Sequence, residues 1–187
     1  MQDAPTMRGY FGVGAEGISK PMNLGGLVRT AHAFGASFAF FVDAYYRVRD
    51  ALSDTSKAEG HLPVYDFKTI DDLLLPRGCK LVGIELIDDS VPMPSFGHPL
   101  NAAYVFGPER GSLSPAMIER CDHVVRIPTR FCVNLGVAVA ITLYDRTLVH
   151  GRYPPRPVRS GGPTEETRKH VHGRPILRTG PDGPDQS

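Results

Sequence analysis

The stretch RFCVNLGVAVAITLYDR, residues 130–146, decides the fold of this chain. It places an almost unbroken apolar run behind a start that contains Cys132, Asn134 and Gly136. Such a run predicts a buried helix that begins at Asn134 and continues to about residue 150. Small residues at its start leave room beside the first turn. We therefore expect this turn to form the floor of a small-ligand site, where two distant segments of the chain meet it.

Short apolar segments alternate with helical patterns before this stretch. The segments expected to be strands are YFGVGAE (10–16), SFAFFVD (37–43), the weaker HLPVYDF (61–67), CKLVGIEL (79–86), NAAYVFG (101–107) and HVVRIP (123–128). The expected helices are NLGGLVRTAHAFG (23–35), which Gly35 ends, the short TIDDLLL (69–75), and SPAMIERC (114–121) with Ser114 as N-cap. Strands that alternate with helices predict an α/β fold with a parallel sheet.

Composition excludes few partners. The chain has 187 residues with 21 basic and 20 acidic side chains, so no extreme of charge identifies a ligand class. Three widely spaced cysteines argue against a disulfide framework and favour a reducing, cytoplasmic setting. We expect no signal peptide, because no charged and apolar leader opens the sequence, and no membrane span, because the apolar runs are too short.

The C-terminal segment differs from the rest of the chain. Residues 151–187 hold seven basic residues against four acidic ones, are rich in proline and glycine, and contain no Phe. This composition predicts a domain over residues 1–150 followed by a disordered basic tail over 151–187. A solvated terminus is the preferred interpretation of the tail, and a dedicated RNA clamp is the alternative.

Several familiar sites are not expected. GVGAEG, residues 12–17, has the letters of a dinucleotide-binding loop but no helix opens directly behind it, so we interpret it as an ordinary loop. No phosphate-binding loop signature occurs. The seven histidines show no metal-ligand spacing, and we expect no metal site.

Three clusters remain. In NLGGLVRTA (23–31), Asn23 could cap a helix and the paired glycines would allow close approach to it. In FGPERGSLSP (106–115), a strand runs into a turn, a place where α/β sheets bind ligands. The third is IPTRFCVNLG (127–136). Each cluster alone is explained by caps, turns and ion pairs, but their ordered combination is not.

Together the clusters resemble the three motifs of the SpoU/TrmH family in the SPOUT superfamily, the RNA ribose 2′-O-methyltransferases. The resemblance covers roughly residues 8–150. It departs from the family at Cys132 and Gly136, where serines are usual. The matching residues are Asn23, Gly25, Arg29, Thr30, Ala31, Phe34 and Gly35, then Phe106, Gly107, Glu109 and Gly111, then Ile127, Pro128 and Asn134.

The resemblance implies a SPOUT-type α/β fold with a mostly parallel sheet and a C-terminal deep trefoil knot, a homodimer, S-adenosylmethionine as cofactor and RNA as substrate. We expect tRNA ahead of rRNA. The resemblance also assigns site residues: Arg29, Asn23, Glu109 and Asn134 as catalytic, and Ile84, Gly107, Ile127, Cys132 and Leu135 as cofactor-binding.

A mechanism follows from the resemblance together with charge. The sulfonium methyl is already activated, so the enzyme has to hold a ribose hydroxyl in line and help it lose a proton. Arg29, which in the family reaches across the dimer, would orient a substrate phosphate and stabilise the developing alkoxide, because a guanidinium stays protonated. Asn23 and Glu109 would hold Arg29, and for Glu109 a structural and a chemical role are equally open. An inactive RNA-binding or cofactor-sensing module and an RNA base methyltransferase are the alternatives.

Overall fold

The computed structural model describes residues 9–45, 62–108 and 111–151, together with residues 153 and 161. The chain divides into two units, Met1–Arg152 and Tyr153–Ser187. The first contains every helix and strand described below. Most of the predicted tail and Glu109 lie outside the described residues.

The described residues form one sheet of seven strands in the order β3-β2-β1-β6-β4-β7-β5. Every neighbouring pair is parallel, so the carboxyl ends of all strands lie at one edge. The predicted α/β class with a mostly parallel sheet is confirmed, while the knot stays a prediction. The strands are β1 (Phe11–Glu16), β2 (Phe38–Val42), β3 (Val64–Phe67), β4 (Lys80–Ile84), β5 (Val91–Pro92), β6 (Ala102–Phe106) and β7 (His123–Arg126).

Among the described residues three helices accompany the sheet, and two begin as the sequence predicts. α1 spans Pro21–Ala33, α2 spans Pro115–Arg120 and α3 spans Leu135–His150, and a 3-10 turn lies at Met93–Ser95. Ser114 caps α2 by accepting a hydrogen bond from the Met117 backbone. Asn134 caps α3 by accepting one from the Gly136 backbone at 2.9 Å.

Alternate residues of each strand enter two separate hydrophobic layers. α1 and α3 pack against each other and against one face of the sheet, where Val13 and Phe41 are fully buried. Phe40 and Val105 face the other layer, together with Met117 of α2. The apolar face of α3 thus has the buried position that its sequence predicts.

The interpretation of GVGAEG as a loop is wrong for most of its length. Gly12 and Gly14 lie inside β1. A Cβ at Gly12 would be 2.2 Å from the Phe38 ring, and one at Gly14 would be 2.3 Å from the Phe40 carbonyl oxygen. These glycines therefore make room for the aromatic residues of β2, and only Gly17, with φ of +61°, turns the chain out of the strand.

The helix predicted over residues 69–75 does not form. Thr69 and Asp72 hydrogen-bond to each other in a single turn. The guanidinium of Arg120, from α2, donates to the carbonyl oxygens of Ile70 and Leu73. A distant side chain therefore binds those carbonyls, and the turn does not extend into a helix. A local sequence pattern cannot reveal such a contact.

Two finer expectations also need correction. Asn23 does not cap α1, because the helix starts at Pro21 with Lys20 as N-cap and Asn23 lies in the first turn. Gly136 does not relieve tight packing within the described part of the chain, where the one atom that its added Cβ would meet is Asn134 Oδ1, at 3.4 Å. The two-residue strand β5 has no recognisable strand pattern and was not predicted.

A buried polar group fixes the C-terminal half of α3. Arg146 is fully buried and donates to the carbonyl oxygens of Pro99 and Leu100 at 2.6 and 2.7 Å, and to the Tyr104 hydroxyl at 3.2 Å.

The ring of His98 lies between the Tyr104 hydroxyl, at 2.7 Å, and an Asp145 carboxylate oxygen, at 3.0 Å. Burial lowers the pKa of His98 despite the carboxylate, so the neutral ring is the form that joins α3 to the sheet.

Candidate active site at the carboxyl edge of the sheet

A cleft opens where β4, β7 and α3 meet, beyond the carboxyl ends of the two strands. Its position is the place at which ligands bind in open α/β sheets. The cavity volume is about 90 Å³, below the ~300–1,000 Å³ of typical ligand pockets, so it accommodates part of a nucleoside-sized ligand. Its lining residues are Ile84, Glu85, Leu86, Ile127, Thr129, Cys132, Val133 and Ala138.

The lower wall comes from the segment between β7 and α3. The Thr129 backbone donates to the Ile127 carbonyl at 2.7 Å, and the Thr129 hydroxyl donates to the Phe131 carbonyl at 2.9 Å. These bonds curl the chain so that Ile127 and Cys132 both face the cleft. The Asn134 cap then directs the chain into α3.

The three cysteines differ in their surroundings. Cys132 is exposed, whereas Cys79 and Cys121 are partly buried. Burial raises the pKa of the Cys79 thiol and raises that of Cys121 to about 12. Both buried thiols therefore stay protonated at neutral pH, and Cys132 is the thiol that a reagent in the cleft can reach.

The opposite rim is the segment that follows β6. A Cβ at Gly107 would lie 2.9 Å from the Leu113 backbone nitrogen, so a larger residue would push the turn open. The Glu85 carboxylate accepts from that nitrogen at 2.7 Å and thereby ties the end of β4 to this segment. Glu16, at the end of β1, accepts from the Ser114 backbone and hydroxyl at 2.8 and 2.6 Å. Two carboxylates thus anchor the rim at one end.

The structure brings together three of the five residues expected to bind cofactor. Ile84, Ile127 and Cys132 line the cleft. Gly107 does not line it and borders it through Glu85. Leu135 does not line the cleft, because its side chain is buried in the hydrophobic layer beneath α3, and its assignment to the cofactor stays a prediction.

The residues expected to be catalytic are spread over a wider surface. Arg29 is exposed on α1, Asn23 is half-buried in the first turn of that helix, and Asn134 is exposed at the start of α3. None of the three lines the cleft within this chain. Glu109 lies outside the described residues.

Sequence reasoning missed Glu85. It is the one charged side chain among the described lining residues of the cleft. The available signal was an acidic residue directly after a buried strand, at the edge where ligands bind.

A larger apolar cavity of about 430 Å³ lies on the opposite face of the sheet. It has no charged side chain among its described lining residues, and the Tyr65 hydroxyl is their one polar side-chain group. The smaller cleft is therefore the candidate site. The lining residues of the large cavity are Phe38, Phe40, Tyr65, Phe67, Leu74, Leu75 and Pro76.

Two further kinds of feature are absent from the described part of the chain. It contains no group of three or more His, Cys, Asp or Glu side chains that could hold a metal ion. None of its helices has both the length and the apolar character required to cross a bilayer.

Several known proteins are similar to this chain, and the two relatives described next are named as RNA 2′-O-methyltransferases. A 23S rRNA (guanosine-2′-O-)-methyltransferase RlmB of Acinetobacter baylyi is 30% identical over 141 residues, which cover 68% of this chain and 55% of the relative. A tRNA (guanosine(18)-2′-O)-methyltransferase of Escherichia coli K12 is 25% identical over 136 residues, covering 70% of this chain and 59% of the relative. This chain thus spans little more than half the length of these relatives.

Solved structures show the same fold. The SpoU methyltransferase AviRb from Streptomyces viridochromogenes, in complex with AdoMet, has a TM-score of 0.69 at 23% identity, over 79% of this chain and 61% of the other. The Aquifex aeolicus TrmH/SpoU tRNA modifying enzyme has a TM-score of 0.66 at 21% identity, over 78% and 77% of the two chains. The sequence model of the SpoU rRNA methylase family matches residues 11–144, most of the chain, and the chain therefore belongs to that family.

Proposed function

We propose that this protein transfers a methyl group from S-adenosylmethionine to a ribose 2′-hydroxyl of RNA. The observation that carries the proposal is the cleft at the ends of β4 and β7, built from residues of the family's third motif in a chain of that family. The relatives named above are 2′-O-methyltransferases of tRNA and of rRNA. We propose tRNA ahead of rRNA, and a cytoplasmic setting.

The cleft suits the adenosine end of this cofactor. Ile84, Ile127 and Val133 offer apolar walls for a flat heterocycle, while the curled backbone of 127–133 offers polar groups at its edge. Cys132 and Gly136, in place of the family's serines, remove two hydroxyls but no backbone group. S-adenosylmethionine supplies an activated methyl on a sulfonium, so the protein has to position, and not activate, the donor.

Arg29 is assigned to the substrate. Its exposed guanidinium is free to grip an RNA phosphate with its planar fork and to stabilise the charge that develops on the ribose oxygen. Because a guanidinium does not act as a base, the proton of the hydroxyl passes to a phosphate or to Glu109. Asn23 and Asn134 are kept as catalytic residues in this proposal, but within the described part of the chain no hydrogen bond joins Asn23 to Arg29.

The proposal includes a homodimer, in which Arg29 of one copy serves the cleft of the other, because Arg29 does not line the cleft of its own chain. An exposed stripe runs along α3 at helical spacing, formed by Val137, Tyr144 and Leu148, which are 48%, 54% and 36% exposed, with the partly buried Ile141 between them. Met22 of α1 is 81% exposed, and no atom of the described residues lies within 4 Å of a Cβ added at Gly26. A second copy covering these faces would bring Arg29 to the neighbouring cleft.

Nucleoside analysis after methyl transfer tests the proposal. The purified full chain is incubated with labelled S-adenosylmethionine and bulk tRNA or rRNA, and the RNA is digested to nucleosides. The proposal requires the label in a 2′-O-methyl nucleoside. Label on a base would support the base methyltransferase, and cofactor binding without transfer to either RNA would support the inactive module.

A further inference from the structure

Glu85 sits directly after β4 and is partly buried in the wall of the cleft. The other described lining residues are apolar or carry only a hydroxyl or thiol. A carboxylate in such surroundings is costly unless donors satisfy it, so its position calls for partners.

Two backbone donors hold this carboxylate in one orientation. The Leu86 backbone donates to Oε1 at 2.9 Å, and the Leu113 backbone donates to Oε2 at 2.7 Å. A carboxylate has about four acceptor sites, two on each oxygen. One site on each oxygen is therefore left over from these two bonds, and the pair is fixed in advance of any ligand.

Two adjacent fixed acceptors match a vicinal diol, whose two hydroxyls both donate. Acidic side chains at the carboxyl ends of strands recognise the ribose of nucleotide cofactors in other α/β folds. We propose that Glu85 accepts hydrogen bonds from the ribose hydroxyls of the cofactor's adenosine and is a specificity-determining residue of the cleft. This assignment rests on the proposed function, since it takes S-adenosylmethionine as the ligand.

Glu16 provides a matched control. It anchors the same rim through Ser114, with two hydrogen bonds of 2.8 and 2.6 Å, and it is only 7% exposed. It does not line the cleft. A role in holding the rim is common to both glutamates, whereas contact with a ligand in the cleft belongs to Glu85 alone.

The experiment is calorimetric titration of the full chain with S-adenosylhomocysteine and with its 2′,3′-dideoxy analogue. Wild type should bind the parent ligand ~10-fold or more tightly than the analogue, the factor expected from hydrogen bonds to a charged group. Glu85→Gln should bring the two dissociation constants closer together. Glu16→Gln should keep the wild-type ratio, even if both affinities fall.

Equal binding of the two ligands by wild type would overturn the assignment, and this result does not depend on whether the variants fold. An unchanged ratio in Glu85→Gln, or the same loss of ratio in Glu16→Gln, would also overturn it. Both of those outcomes leave the proposed function standing, because the parent ligand still binds. Failure of wild type to bind either ligand would overturn the proposed function as well.

Discussion

Replacing Arg29 with alanine separates a role in chemistry from a role in the fold. The side chain is exposed on α1, and within the described part of the chain no hydrogen bond or ion pair joins it to another residue. Exposed substitutions of this kind change the free energy of unfolding by about 0.5 kcal/mol or less. If Arg29 were instead the buried partner of Glu109, its removal would lower the free energy of unfolding by about 3–5 kcal/mol. The structure therefore predicts a melting temperature close to wild type.

Methyl transfer should respond very differently. Removing one donor aimed at developing charge typically lowers kcat by about 10²–10³. Single-turnover transfer to RNA measures this loss, and calorimetry with S-adenosylhomocysteine should show unchanged cofactor affinity. Arg77→Ala is the matched control. Arg77 is also exposed, but it precedes β4 and so lies at the amino edge of the sheet, away from the cleft at the carboxyl edge.

Two further variants sharpen the test of Arg29. Arg29→Lys keeps the charge but loses the planar fork, so it should stay impaired if the guanidinium grips a phosphate in two places. Mixing Arg29→Ala with a variant whose cleft is blocked, such as Cys132→Trp, should restore activity in heterodimers. Full activity of Arg29→Ala by itself, or early unfolding of that variant, would refute the reasoning.

Three other predictions concern stability. Deleting residues 151–187 should leave the melting temperature and cofactor affinity nearly unchanged, while weakening RNA binding at low salt; a large drop in melting temperature would contradict it. The pKa of His98 is lowered in the folded state, so its contribution to stability is complete above the unfolded value of about 6.5 and is lost as the pH falls below it. Thermal melts across this pH range should show the melting temperature falling as the pH is lowered, and the fall should be smaller in His98→Gln. Arg146→Met should cost about 3 kcal/mol or more in urea unfolding, because Tyr104 and two carbonyls lose their donor, and a cost under about 1 kcal/mol would count against this.

Local patterns were enough for much of the fold. The alternation of apolar segments predicted six of the strands, and the caps at Ser114 and Asn134 set the starts of α2 and α3. These features depend on neighbours within a few residues. The prediction of a helix over residues 69–75 was wrong for the opposite reason, because Arg120 binds carbonyls of this segment from 50 and 47 residues away.

The site could be predicted only in part. Ile84, Ile127 and Cys132 were placed at the cofactor site by resemblance to a family, and the structure brings them into one cleft. The place of Glu85 depends on its bond to Leu113, 28 residues away, and no local pattern encodes that pairing. The pairing of β1 with β6, which sets the strand order, is equally non-local.

Protection of Cys132 from alkylation tests the central claim, that the cleft holds the cofactor, most directly. Cys132 is exposed in the cleft, while burial keeps the thiols of Cys79 and Cys121 protonated. Mass spectrometry of the native full chain should show iodoacetamide reacting at Cys132 first, and saturating S-adenosylhomocysteine should slow that reaction strongly. Unchanged alkylation of Cys132 under conditions in which calorimetry shows the ligand bound would place the cofactor elsewhere and contradict the account.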